Sequence, residues 1–270
     1  MDINAAVNYI EKTGDNVLTK LACYAVGKIQ KNEAIEAISS YQLTDGGWTK
    51  TDKDFLAGIS TISSTWVALQ WFIWLQDFDS IGLSKTIAYL KRVQNEEGYF
   101  DEPQEILKFT PSPWMQPGRY ENQLWLTSAV SSKLLELGLE NEVDLNKAIS
   151  FLSDGWDGKR FPMYKHTHWM AMHIFHSADS PKCRSIAEGC KAFLASSLNN
   201  NEVDPGDCCA IAYSSLNTGQ FAEDLFKLAF TKMESFQADD GGIITNYGEK
   251  HRPSFTVEAL FLLKKLGRIA

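Results

Sequence analysis

Two kinds of helical pattern alternate along the chain. Ala34 to Tyr41 and Ser84 to Val93 place apolar residues three and four apart with Lys and Glu between them, the stripe of a helix that buries one face. Ser63 to Leu75, Leu124 to Leu137, His166 to Phe175, Asp207 to Leu216 and Ser254 to Leu266 begin with small or polar residues and then become apolar nearly all round. A helix without a polar face is normally surrounded on every side, so the second kind is expected inside and the first outside. With an opening pair from Ala5 to Ile29, there are roughly six of each, enough to close a ring of helical hairpins. No strand alternation competes, and the pattern predicts one all-α domain over residues 1–270.

The hairpins are marked by a repeated turn. Gln42-Leu-Thr-Asp-Gly-Gly-Trp48, Gln94-Asn-Glu-Glu-Gly-Tyr-Phe100 and Gln237-Ala-Asp-Asp-Gly-Gly-Ile243 each close an amphipathic helix with a Gln, an acidic turn, glycine and a bulky apolar residue. Gln42 and Gln94 stand about 50 residues apart and Gln237 lies about three such units further, a period typical of paired-helix repeats. Degenerate copies are expected between them, at Ala148 to Phe161, which keeps a Gly-Trp turn, and at Ala192 to Asp204, which keeps only a polar one.

These turns resemble the QW-type motif of the prenyltransferase and squalene oxidase repeat superfamily, which includes triterpene cyclases, class II diterpene cyclases and the β subunits of protein prenyltransferases. The resemblance covers most of the chain and implies an (α/α)6 toroid whose inner helices begin at a central, aromatic-lined cavity. It is more specific for fold than for activity, since one fold hosts many functions. Gln42, Trp48, Gln94 and Gln237 are read as architecture, capping helix ends and stapling neighbouring hairpins.

Aligning the inner patterns on a recurring small residue puts Ala68, Ala171, Ala210 and Ala259 in register, with Thr65, His168, Asp207 and Thr256 three residues earlier. Two helix mouths therefore carry titratable groups, His166 and His168 at one, Asp207 with Cys208 and Cys209 at the next. Three roles are open. Asp207 follows Pro205-Gly206, where a helix N-cap is expected. By resemblance to the Asp-x-Asp-Asp-Thr-Ala motif of class II cyclases, alignment on Ala210 puts Asp207 in the slot of the middle, protonating Asp, with His166 or His168 tuning or relaying its proton; Pro205 and Cys208 stand where the flanking acids would be. By resemblance to the prenyltransferase β subunits, Asp207 and Cys209 match an Asp-x-Cys zinc pair, to be completed by His168 and His166; Phe255-Thr256 replaces the family's His-Thr, and tetrahedral zinc needs about four such ligands.

Trp66, Tyr120, Trp125, Tyr164, Trp169 and Phe255 fall near inner-helix starts and are expected to line a pocket and offer π faces to a cationic intermediate. His173 and His176 share one helix face, and Lys250, His251 and Arg252 form the compact basic cluster near an inner mouth, able to hold an anion by charge-assisted bonds. No phosphate-binding glycine loop and no Gly-x-Ser-x-Gly elbow occur.

Charge narrows the partners. Twenty-six Lys and Arg against thirty-four Asp and Glu give a net charge of −8, which leaves no basic footprint for nucleic acid. The longest apolar run, Trp66 to Leu75, is interrupted by Gln70 and falls short of the ~20 residues that span a bilayer, so no membrane span is expected. Five scattered cysteines do not form a disulfide framework, and Met1-Asp2-Ile3-Asn4 lacks a basic-then-apolar leader, so a cytoplasmic location is expected. The leading expectation is a terpene-cyclase-like enzyme with a hydrophobic, isoprenoid small molecule as substrate and Asp207 as acid. A zinc-dependent transferase or lyase and a noncatalytic lipid- or protein-binding toroid are the alternatives, and the resemblance leaves room for a partner subunit.

Overall fold

The computed structural model describes residues 1–51 and 53–269. Its helices are α1 (Ile3–Thr13), α2 (Asn16–Ala25), α3 (Lys31–Ser39), α4 (Ile62–Leu75), α5 (Ile81–Val93), α6 (Tyr120–Glu136), α7 (Leu145–Asp154), α8 (His166–Ser177), α9 (Pro181–Asn199), α10 (Asp207–Asn217), α11 (Glu223–Ser235) and α12 (Arg252–Lys265). The fold is all-α, and the extended pairing among the described residues is confined to isolated bridges such as Gln42 with Trp48 and Gln237 with Ile243. Contacts group the chain into two compact units, Met1–Ile38 with Leu194–Ala270, and Ser39–Phe193.

In the unit Ser39–Phe193, α4 packs on α5 and α6, and α6 packs on α7 and α8. α4 is enclosed as its pattern predicts: from Ala68 to Leu75 every residue is buried, with Leu69 and Leu75 fully so. α5 buries one face through Leu83, Thr86, Ile87 and Leu90 and exposes Ser84, Lys85 and Lys91. In the other unit α1 packs on α2 and α12, and α10 packs on α11 and α12. Helix starts are fixed by side-chain caps. Asp2, Asp15, Thr61, Ser80 and Asp144 each accept a first-turn amide hydrogen, interactions worth about 1 kcal/mol apiece.

The three repeated turns are built alike. In each, the backbone closes on itself, as when Asn95 N–H donates to the Tyr99 carbonyl and Gly98 N–H to the Asn95 carbonyl. Gly46 and Gly241 take φ values of 91° and 95°, where only glycine is unstrained, and a Cβ at either would run into the backbone of Lys85 or Ala5. The Gln side chain then reaches the start of another amphipathic helix. Gln94 donates to the Asp144 carbonyl at 3.2 Å and accepts the Asp144 N–H at 2.8 Å, and Gln237 does the same at Asp2, at 2.8 and 2.6 Å. Gln42 enters one turn later, donating to the Gly82 carbonyl and the Thr86 hydroxyl of α5. Trp48 joins it there with its indole N–H on Thr86 at 2.8 Å.

A second contact fixes the far end of each turn to an enclosed helix. The backbone N–H of Trp48 donates to the Thr65 hydroxyl at 3.3 Å, that of Phe100 to Thr127 at 2.9 Å, and that of Ile243 to Thr256 at 2.9 Å. These amides are buried, and a buried amide left without a partner costs about 1–3 kcal/mol. The variant Thr127→Val keeps the side-chain shape and removes the acceptor. We expect it to lower stability by about 1–3 kcal/mol, seen as a lower urea midpoint at unchanged slope; an unchanged midpoint would show that the contact does not hold the turn.

Candidate active site

His168 takes the place of the threonines. It stands in register with Thr65 and Thr256, and its Nε2 accepts the Phe161 backbone N–H at 3.0 Å. Accepting that bond leaves Nε2 without a proton and places the proton of the neutral ring on Nδ1, which faces the Tyr164 and Lys165 carbonyls without completing a well-formed bond. The ring is 1% exposed, stacks on Phe193 at 3.9 Å and meets the edge of Phe161 at 5.5 Å. Burial therefore pulls its pKa down to about 4. The degenerate copy at Ala148 to Phe161 has lost its Gln, yet Trp156 lies against Gly189 of α9 and the Phe161 amide keeps its acceptor. His168, expected as a proton relay or zinc ligand, has its Nε2 already engaged by the Phe161 amide.

His166 opens α8, is half-buried, and lies 4.8 Å from the Trp169 ring. The two histidines belong to one helix, so positions two apart diverge by about 200° and do not present a shared face. Asp207 and Cys209 are likewise two apart on α10. Among the described residues no three His, Cys, Asp or Glu side chains form a group able to hold a metal ion. Cys209 is completely buried and Cys208 nearly so; burial holds the Cys209 thiol well above its usual range and pushes Cys208 up to about 12. Asp207, Cys209 and His168 are not brought into such a group among the described residues.

Asp207 is not the N-cap that its position suggests. Gly206 occupies that place without a side-chain cap, and the preceding turn is made by Asp204, whose Oδ1 accepts the Gly206 N–H at 2.8 Å and whose carbonyl accepts the Asp207 N–H at 3.1 Å. The Asp207 carboxylate points elsewhere. It is 4% exposed, and its Oδ2 accepts the Tyr247 hydroxyl at 2.8 Å. Burial first, and then the adjacent Asp207 charge, push the Tyr247 phenol above its ordinary range, which keeps it a donor. The Tyr247 ring stacks at 5.9 Å on Phe255, and Phe255 lies so close over Gly206 that a Cβ there would come within 2.7 Å of it.

Asp204 also sets the partner. Its Oδ1 accepts the Thr245 hydroxyl at 2.6 Å and its Oδ2 the Asn246 N–H at 2.7 Å, pinning the segment that carries Tyr247. The sequence offered a sign of Asp204 in the Asp-Pro-Gly turn signature. It offered none of Tyr247, which is forty residues from Asp207 and follows a turn motif. The basic cluster is also spoken for: Arg252 is buried, pairs with Asp240 at 2.7 Å and Glu249 at 2.8 Å, and lies over the Tyr9 ring.

The expected pocket aromatics fall into separate groups. Trp66 and Trp125 meet edge to face at 5.8 Å, and Trp125 meets Trp114, which no sequence pattern singles out, at 5.4 Å. Tyr164 donates to Asn122 Oδ1 at 3.0 Å. Trp169 is buried beside His166. Tyr120 is 42% exposed and rests on Phe151 of α7. Phe255 belongs to the other unit, with Asp207. Among the described residues no helix is long and apolar enough to cross a membrane.

No family model and no curated protein sequence matches the chain. Among solved structures it is similar to a protein from Actinoplanes, with a TM-score of 0.62 and 12% identity over 98% of both chains. It is also similar to the type II terpene cyclase MstE from Scytonema, solved without ligand, with a TM-score of 0.60 and 12% identity over 99% of this chain and 98% of that one. At this identity the likeness shows the fold, and the fold class is the one expected, all-α of the (α/α)6 toroid kind found in terpene cyclases.

The burial of neutral His168 has a pH signature. Below its unfolded pKa of about 6.5 the unfolded chain takes up a proton that the folded chain refuses until about 4, so stability falls as pH drops through this window and the full effect is roughly 3 kcal/mol. Urea unfolding of the protein and of His168→Thr at pH 4 to 7 is expected to show that this component of the slope disappears in the variant; equal slopes would remove His168 as its source.

Proposed function

We propose that the protein is a terpene-cyclase-like enzyme that acts on a hydrophobic, isoprenoid small molecule, with Asp207 as the general acid. The observation that carries this reading is a buried carboxylate in the first turn of the enclosed helix α10 that accepts the Tyr247 hydroxyl in place of a cap. The fold likeness to a type II terpene cyclase supports the reaction class. In the proposed step the Asp207 proton passes to one carbon of an alkene, the π pair forms the new C–H bond, and the neighbouring carbon becomes cationic. Tyr247 then donates to the carboxylate left behind, a charge-assisted bond stronger in that state than before proton transfer. Proton loss from the product cation ends the sequence and returns the acid.

The π faces of Tyr247 and Phe255 lie beside this carboxylate and suit a cationic intermediate. His168 takes no part in this step, since its Nε2 is occupied by Phe161, and the proton partner is Tyr247.

Incubation with linear polyprenyl alcohols and diphosphates, followed by product analysis, tests the proposal. Asp207→Asn keeps size and polarity but carries no acidic proton, so turnover is expected to fall at least a thousandfold, about 4 kcal/mol in the barrier, with an unchanged helical circular dichroism spectrum. An equally active variant would eliminate the acid role. Tyr247→Phe, which removes one hydrogen bond to a charged group, is expected to lower kcat about tenfold to a hundredfold with little change in KM. Retained binding with no turnover in the parent protein would favour the noncatalytic reading, for which the replacement of the family's flanking acids by Pro205 and Cys208 is the motivating feature.

A further inference from the structure

Buried hydrogen-bond donors without partners are rare in folded proteins, and each calls for an explanation. Among those carried by α4 and α6 are three nitrogen donors. The indole N–H of Trp66, the side-chain NH2 of Gln70 and the indole N–H of Trp125 are buried and have no partner among the described residues. Gln70 is 8% exposed and Trp125 7%. Trp66 and Gln70 are four apart on α4 and share one of its faces; α4 packs on α6, and the Trp66 and Trp125 rings meet at 5.8 Å. Trp114 extends the aromatic wall from a short turn at Pro113–Met115. All lie in the unit Ser39–Phe193, while Asp207 and Tyr247 belong to the unit Met1–Ile38 with Leu194–Ala270.

We propose that Trp66, Gln70 and Trp125 form a recognition site for a neutral oxygen on an otherwise apolar ligand. The donors are uncharged, and the surrounding indole faces are electron-rich, so they favour a hydroxyl, ether or carbonyl oxygen and disfavour a diphosphate, which requires cationic partners. The apolar rings take the hydrocarbon body, and the oxygen accepts through its two lone pairs from two of these donors. The inference rests on the proposed hydrophobic small-molecule substrate and narrows it to an oxygen-bearing molecule without a diphosphate at this site, but it does not depend on Asp207.

The test uses the whole protein labelled with 15N at its indole nitrogens, with geranylgeraniol as the probe. Its eight tryptophans give separate indole N–H signals, and Trp66→Phe and Trp125→Phe identify two of them. Geranylgeraniol is expected to move both signals downfield. The matched hydrocarbon lacking the hydroxyl and geranylgeranyl diphosphate are each expected to bind at least tenfold more weakly, and Gln70→Leu to weaken the alcohol but not the hydrocarbon. Unmoved indole signals in the unmodified protein, or equal affinity for alcohol and hydrocarbon, would overturn the site whether or not the variants fold. Asp207→Asn separates the two proposals: it is expected to bind geranylgeraniol unchanged while losing turnover. An active Asp207→Asn protein would defeat the acid assignment and leave the recognition site to stand or fall on the indole shifts alone.

Discussion

A buried backbone amide at the end of a turn needs an acceptor, and in this protein the acceptor comes from the side of an enclosed helix. Thr65, Thr127, His168 and Thr256 supply it to Trp48, Phe100, Phe161 and Ile243. The contact does two things at once. It satisfies a donor that water cannot reach, and it sets the height at which the turn's bulky residue meets the helix. The Gln at the other end of the turn binds the start of another amphipathic helix, twice through both the N–H and the carbonyl of its capping Asp. Each turn is thus a joint among three helices, and loss of the motif would loosen all three.

This constraint explains why one histidine in the expected catalytic pair has its Nε2 engaged by a backbone amide. Threonine reaches the turn amide with a short hydroxyl, and Thr65 and Thr256 return their own proton to a carbonyl one turn back. In the degenerate copy the longer imidazole spans the gap, and the aromatic shell of Phe161, Trp156 and Phe193 keeps it neutral. Asp207 stands at the same register position but begins its helix, whereas Thr127 lies two turns into α6. With Asp204 making the local turn, the Asp207 carboxylate faces Tyr247 instead.

The Asp207 neighbourhood shows the same economy of positioning. Asp204 accepts from Gly206, Thr245 and Asn246, tying the start of α10 to the segment that delivers Tyr247. Gly206 leaves the space that the Phe255 ring fills. One acidic side chain is consumed in geometry so that another can be buried against a defined donor.

The alternation of one-sided and enclosed helices, the repeated turns and the resulting all-α fold were legible in the sequence, because they rest on periodicity and on turn chemistry that act over a few residues. Helix identities followed from this, with α4 enclosed and α5 one-sided as their patterns require. Asp207 could be singled out by its register with Ala210. What each polar side chain binds was decided by the tertiary structure, since that depends on partners far along the chain: Tyr247 for Asp207, Asp144 for Gln94, Asp2 for Gln237. A histidine that caps a turn and one that moves protons have the same letter and the same helical setting. Only the position of the Phe161 amide, 3.0 Å from Nε2, separates them.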